Sequence, residues 1–377
     1  MSDAAAPSAL RRPRILLVGD YPPDRQISMQ RYAEMLRDGL TARGFDLDLI
    51  QPPRVFGGGV EDGFIAKWLG YVDKYLLFPL RLNRVSRAFD RVHICDHSNA
   101  VYLPFVGPNA SITCHDLIAV NAAMGRYPAR KVGQSGRLLQ RWILRSLRRA
   151  GRAVNVSAKT ASDLKALGWS GEDVVIGNCL NYDFHRVSAD EIARAKAKWG
   201  LAADQSYFIH VGGNQWYKNR IGVVNIYAEL ALREPFSAAR LVMIGKPWSP
   251  ALRKLVRDLG LEGRIIEGLG ASSEDIRALY SGSTALLFPS LEEGFGWPVL
   301  EAQTCGCPVI TSARSPMLEV AGEAAVFIDP EDPVAAANAI VEAAPRFGAL
   351  ATEGLRNARR FDRDLIMDQY ADFLSGR

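Results

Sequence analysis

Two carboxylates, Glu293 and Glu301, stand with seven residues between them on either side of a helix-opening segment, Gly294-Phe295-Gly296-Trp297-Pro298. Pro298 suits the first turn of a helix, where its missing N–H costs nothing. The glycines before it permit backbone that other residues resist. A helix start presents free N–H groups and the positive end of the helix dipole, a combination that binds phosphate. Carboxylate oxygens beside it accept from sugar hydroxyls. This stretch can therefore hold a sugar, a diphosphate and a ribose together. From spacing alone, a core strand–helix–strand unit with two surface acids reads the same way.

Two further groups fit that chemistry. Gly212-Gly213-Asn214 follows an apolar run and precedes Lys218 and Arg220, so backbone can approach a diphosphate while an ammonium neutralises it. His115-Asp116 closes the run Ser111 to Cys114. In open α/β sheets such strand ends face the ligand crevice, although many such residues only cap loops.

These groups need a frame of strands and helices, and the chain supplies one twice. Arg14 to Val18 is predicted as a first buried strand, followed by a helix over Ser28 to Arg43 and a strand at Asp46 to Ile50. Lys67 to Phe89 reads as one or two amphipathic helices broken near Pro79. It is either core packing or a contact with lipid or a lipid-linked acceptor. Strands follow at Arg91 to Cys95, Ser111 to Cys114, Ala153 to Ser157 and Val174 to Asn178. A second α/β series begins at Tyr207, with strands at Arg240 to Gly245, Arg264 to Leu269 and Ala285 to Phe288, and Ser272 or Ser273 capping a helix. The fold class is α/β, with two doubly wound, Rossmann-like domains. The boundaries are 1–184 for the first domain and 185–359 for the second, with a C-terminal helix in 360–377 returning to the first.

With 377 residues, 48% of them hydrophobic, the chain can fill two cores. It has no long uncharged apolar stretch, so no membrane span is expected. Met1 to Arg14 lacks a signal-peptide core and reads as a loose tail. Five scattered cysteines do not make a disulfide framework, and the Cys305/Cys307 pair lacks the companions of a metal site. A reduced, cytoplasmic protein is the expectation.

The net charge of +5 is unevenly placed, since no acid occurs from Leu117 through Ser162. There a helix over Gln134 to Ala150 carries Arg137, Arg141, Arg145 and Arg148 at helical spacing, beside Leu138, Leu139, Trp142, Ile143 and Leu147. This is either a solvated face or an interfacial helix drawn to anionic lipid on the inner face of the cell membrane. Few aromatics interleave the stripe and no nucleic-acid motif accompanies it, so nucleic acid is not the expected partner.

The run Glu293-Gly294-Phe295-Gly296, Pro298, Glu301-Ala302, Gly306 and Pro308-Val309-Ile310 closely resembles the E-x7-E signature of retaining, family-4-type glycosyltransferases. Thr113 to Leu117, the segment around Lys218-Asn219 and Glu319 to Gly322 extend the resemblance. It is strong over roughly Tyr207 to Pro330 and weaker before. It implies the GT-B arrangement, with two domains facing across a cleft, the nucleotide-sugar donor on the second and the acceptor on the first. It implies metal-independent transfer of a hexose from a GDP-mannose-like or UDP-sugar donor to a polysaccharide or lipid-linked glycan, without cofactor and with retained configuration.

The same resemblance assigns His115 to the donor sugar and Asp116 to loop or acceptor. It gives Lys218 to the diphosphate, joined by Gly212, Gly213, Asn214, Arg220, Gly294, Phe295, Gly296 and Trp297. Leu269 would border the base, Glu293 would hold sugar hydroxyls and Glu301 the ribose. The chain departs from the family at two places. Gly19-Asp20-Tyr21-Pro22-Pro23 lacks the usual adjacent glycines, and Gly213 and Tyr217 stand where an Arg is expected. A catalytically weak, nucleotide-sugar-binding scaffold of a membrane assembly is the alternative these departures keep open.

Overall fold

The apolar run Ile15-Leu16-Leu17-Val18 is fully buried and forms the strand around which the first sheet is built. In the computed structural model, which describes residues 12–56 and 64–376, this sheet has six parallel strands. They are β1 (Ile15–Val18), β2 (Leu47–Ile50), β3 (Arg91–Ile94), β4 (Ala110–Cys114), β5 (Arg152–Asn155) and β6 (Glu172–Val175), in the order β2-β1-β3-β4-β5-β6. A second six-stranded parallel sheet contains β7 (Tyr207–Val211), β8 (Arg240–Ile244), β9 (Ile265–Gly268), β10 (Ala285–Phe288), β11 (Val309–Ser312) and β12 (Val326–Ile328), in the order β12-β11-β10-β7-β8-β9. Each sheet is covered by its own helices and core, as parallel sheets require.

By packing, residues 160–176 and the C-terminal helix Arg363–Ser375 join the first unit, and 157–159 with 177–362 form the second. The junction thus falls after Ile176 rather than at 184/185. The C-terminal helix is fastened to the helix Ile27–Ala42 and its cap. Arg43 reaches Asp364 at 3.1 Å and Asp368 at 2.6 Å, and Gly39 leaves the room that Met367 fills. Beneath, Tyr32 and Tyr370 hydroxyls lie 2.5 Å apart. Tyr32 also meets Thr113 Oγ1 at 3.1 Å, and His93 bridges Thr113 and Ser111 at 2.9 Å each.

Two elements differ from the sequence reading. The strand expected at Val174 to Asn178 is β6, Glu172–Val175. It is an edge strand whose start is held by the Glu172–Arg152 ion pair, so apolar patterning does not mark it. The helical stretch also breaks before Pro79. Helix Phe64–Val72 passes into a π-helical turn, Asp73–Leu77, and then into helix Phe78–Ser86, where Pro79 sits harmlessly in the first turn. The turn carries Asp73, fully buried, which accepts from Tyr21 Oη at 2.9 Å and from the N–H groups of Val55 (3.1 Å) and Phe56 (3.0 Å). Of the tail expected at Met1 to Arg14, residues 1–11, like residues 57–63, lie outside the described residues. Among those residues no helix is long and apolar enough to cross a membrane.

His93 and His210 are fully buried, one in each sheet, and burial pushes each pKa down to about 3. The unfolded chain takes up these protons near pH 6.5, whereas the folded chain does not until about pH 3. Their stabilising contribution is therefore full above pH 6.5 and lost as pH falls towards 3, by about 1.4 kcal/mol per pH unit per group. Thermal midpoints measured from pH 7 to pH 4 should fall steadily; a flat profile would contradict neutral burial.

Candidate functional site

In the second sheet the strand order reverses between β7 and β10, and ligands of open α/β sheets bind at such a reversal. The loops after these two strands carry Lys218 and Glu293. Lys218 Nζ lies 2.7 Å from Glu293 Oε1 and 3.0 Å from Oε2, with the ammonium 5.2 Å from the centre of the Phe288 ring. Both side chains are largely buried. Asn219 takes a left-handed turn (φ 51°) after Lys218, caps Gly222 N–H, and donates to the carbonyls of Pro289 and Pro330. Lys218 is thereby presented from a rigid turn.

Gly296 begins the helix Trp297–Thr304 with φ 104°, and a Cβ there would lie 2.3 Å from Met317 Cε, so glycine is required. Phe295 is buried edge-on against Phe361, Trp297 Nε1 donates to the Cys179 carbonyl at 3.1 Å, and the Gly294 carbonyl accepts from Ser157 Oγ at 2.7 Å. These contacts fix the helix start, which follows Glu293 by three residues and opens with free first-turn N–H groups. Glu301 accepts from Tyr280 Oη at 3.2 Å. Leu269, just past β9, is 47% exposed.

The glycine loop is held from below. Gly212 N–H donates to Ile244, and a Cβ on Gly245 (φ 147°) would lie 2.1 Å from the Gly212 carbonyl oxygen. Gly213 continues the loop, and a Cβ there would meet only the Gln215 side chain. Arg220 is not presented at the loop surface. Only 6% exposed, it donates Nη1 to Asn214 Oδ1 and to the Lys246 carbonyl, tying the glycine loop to the turn after β8. Its Nε and Nη2 are buried without a hydrogen-bond partner among the described residues. Burial lowers its pKa. It therefore contributes positive potential from beneath rather than an open hydrogen-bonding fork.

Sequence reasoning gave the segment 157–159 no role at the site, reading Ser157 only as the end of a strand. Ser157 holds Gly294, Lys159 Nζ pairs with Glu292 at 3.0 Å, and Ala158 N–H donates to both oxygens of Glu319. No local pattern marks these long-range contacts.

In the first unit, His115 donates Nε2–H to the Cys95 carbonyl at 2.9 Å and stands edge-on to Tyr32, with burial lowering its pKa. Asp116 Oδ1 accepts from Ile118 N–H at 2.9 Å and fixes the loop after β4. The basic helix runs Gln134–Leu147. Arg137, Arg141 and Arg145 form an exposed stripe with no acidic partner among the described residues. Arg148 leaves that stripe, because its Nε and Nη2 donate to the Leu167 carbonyl. Alongside lie exposed Leu138 and Trp142, with Trp142 against Tyr75 at 5.2 Å. Exposed Trp68, Leu76 and Leu80 line the neighbouring helices.

Replacing Gly245 by Ala should displace Gly212 and cost about 2 kcal/mol or more. Gly260→Ala, at positive φ but in open space, should cost only about 1 kcal/mol. Equal midpoints for the two variants in denaturant titration would contradict the close approach.

Residues 191–344 match the family model described as Glycosyl transferases group 1. The O-antigen chain mannosyltransferase B of Escherichia coli is 28% identical over 63% of this chain and 61% of its own length. A D-inositol 3-phosphate glycosyltransferase of Rhodococcus jostii (strain RHA1) is 32% identical over 49% of this chain and 44% of its own. The chain thus spans less than two thirds of the length of these relatives. The Anabaena protein HepE, solved with UDP and glucose, superposes with a TM-score of 0.72 at 17% identity, over 96% of this chain and 99% of that one. The two Rossmann-like units have the GT-B fold, and residues 191–344 are similar to the group 1 glycosyl transferases.

Proposed function

We propose that the chain is a retaining glycosyltransferase that moves a hexose from a nucleotide diphosphate sugar to a hydroxyl of a polysaccharide or lipid-linked glycan. The observation that carries this reading is the buried Lys218–Glu293 contact beside a helix start, at the strand-order reversal of the second sheet. The diphosphate would displace Glu293 from part of the ammonium. Lys218 and the first-turn N–H groups would then meet the charge that grows as the sugar C1–O bond to phosphate breaks, an interaction of the kind that usually contributes most to catalysis. Glu293 would turn its freed oxygens to the sugar hydroxyls, and Glu301 would take the ribose. The acceptor oxygen would bond to C1 on the face the phosphate leaves, and its proton would pass to the departing phosphate oxygen. Neither a metal nor a cofactor has a part in this scheme. The name of the E. coli relative, a mannosyltransferase, supports a mannose donor, and the HepE complex with UDP and glucose supports a UDP-sugar.

The same reading places the enzyme peripherally on a cytoplasmic membrane face. Arg137, Arg141 and Arg145 beside Leu138 and Trp142 pair charge with apolar side chains, as interfacial helices do. Each basic residue near an anionic surface contributes about 1 kcal/mol.

A second reading, a nucleotide-sugar-binding scaffold with weak turnover, draws on the placement of Arg220 beneath the loop rather than in it. The experiment that separates the two pairs transfer assays with calorimetry of GDP and UDP. Lys218→Ala should weaken the preferred diphosphate at least tenfold, about 1.4 kcal/mol. Glu293→Gln should keep nucleotide affinity within a few-fold yet lower transfer by about a hundredfold or more. Wild-type binding without transfer across an acceptor panel would favour the scaffold, and full transfer by both variants would overturn the site assignment. Replacing Arg137, Arg141 and Arg145 together by Glu should abolish sedimentation with phosphatidylglycerol vesicles; unchanged sedimentation would remove this helix from membrane docking.

A further inference from the structure

The first sheet has its own reversal, between β1 and β3. Where the second unit places Lys218 and Glu293, the first places Asp20, two residues past β1, and Asp96, two past β3. Each is only 3% exposed, and they are provided for unequally. Asp96 Oδ1 lies 2.9 Å from His97 Nδ1, and Ser98 donates its N–H to Oδ1 at 3.3 Å and its hydroxyl to Oδ2 at 2.5 Å. Asp20 receives one donor, Asn99 Nδ2, on Oδ1 at 2.8 Å. Its Oδ2 is buried with no protein donor among the described residues, as is the hydroxyl of fully buried Tyr102 nearby.

Two facing carboxyls cannot both ionise at low cost. Burial, then the Asp96 charge, raises the Asp20 pKa to about 8. Burial alone would lower that of His97, but the Asp96 carboxylate carries it up to about 9. Burial likewise opposes ionisation of Asp96, yet His97 holds its pKa well below the carboxylate range. At neutral pH the cluster is therefore a neutral Asp20, an anionic Asp96 and a cationic His97. Cys95, Tyr102, His115 and Asp116 are the other titratable groups around it. Two polar atoms of the cluster, Asn99 Oδ1 and His97 Nε2, make no hydrogen bond among the described residues, and both residues keep 8% of their surface exposed. An acceptor and a charged donor two residues apart, on side chains held by the paired Asp20 and Asp96, match a hydroxyl, which donates one bond and accepts another. The neighbouring Asp96 and Asp116 carboxylates disfavour an anion, and no metal-ligating group of three exists among the described residues.

We propose that Asn99 and His97, held in place by the Asp20–Asp96 carboxyl pair, form the subsite that receives a sugar hydroxyl of the acceptor. This rests on the glycosyltransferase reading. Asp20 and Asp96 are positioning residues, since Asp20 Oδ1 accepts from the Asn99 amide and leaves its oxygen outward, and Asp96 keeps His97 charged.

The test is acceptor KM against pH, with the dissociation constant of the preferred nucleoside diphosphate measured in parallel. Acceptor KM should rise between about pH 8 and 10 as His97 loses its proton (about 9) and with it the charged donor. Asn99→Ala should raise KM at least tenfold at pH 7 with nucleotide affinity unchanged. Asp20→Ala, which removes the acceptor for Asn99 Nδ2, should raise KM several-fold at pH 7 with nucleotide affinity unchanged. An unaltered KM in Asn99→Ala or in Asp20→Ala would overturn the proposal. An NMR titration of the His97 ring in the full chain needs no turnover. Its pKa should lie near 9 and its resonances should shift on adding methyl α-mannoside or methyl α-glucoside. Absence of transfer by the wild type with these shifts present would count against the enzyme reading alone. Absence of the shifts would count against the subsite.

Discussion

The second unit depends on one buried contact, the Lys218 ammonium on the Glu293 carboxylate. Ions removed from water cost several kcal/mol each unless paired with good geometry. Here the pairing is two-pronged, at 2.7 and 3.0 Å. Everything nearby serves to bring the partners together. The β7–β10 pairing sets the two loops side by side, the left-handed Asn219 aims the lysine, and Gly296 starts the helix where a side chain would strike Met317. The pair holds a cation and an anion together at the strand-order reversal, where the proposed nucleotide sugar would meet both.

The first unit uses the same topological device with different chemistry. Its reversal holds no lysine. It holds carboxyls, imidazoles and an amide, balanced by the protons that Asp20 and His97 retain at neutral pH. Asp20 at this edge is a side chain whose charge is withheld by burial and by the neighbouring Asp96. The buried network of Tyr32, Thr113, His93 and Tyr370 lies under this edge and ties the returning C-terminal helix to it.

Much of this was legible in the chain. Buried parallel strands write themselves as apolar runs, and Glu293, Gly296, Pro298 and Glu301 mark a loop and helix start by their own conformational needs. The edge strand β6 was shifted because its start rests on a charged pair rather than on apolar burial. Arg148 counted towards a basic stripe because helical spacing is visible in sequence, whereas its bond to the Leu167 carbonyl is not. Arg220 was expected in the donor loop for a similar reason, since its position beneath Asn214 follows from packing of the turn after β8. The π-helical turn at Asp73–Leu77 depends on contacts with Tyr21, Val55 and Phe56, far away in sequence.

The most direct measurement is a crystal structure of the chain with GDP or UDP bound, whichever binds tighter. The account predicts phosphate oxygens within about 3 Å of Lys218 Nζ and of the N–H groups that open the helix at Trp297, with Glu293 drawn away from part of the ammonium. Phosphates bound elsewhere, with the Lys218–Glu293 contact unchanged, would contradict it.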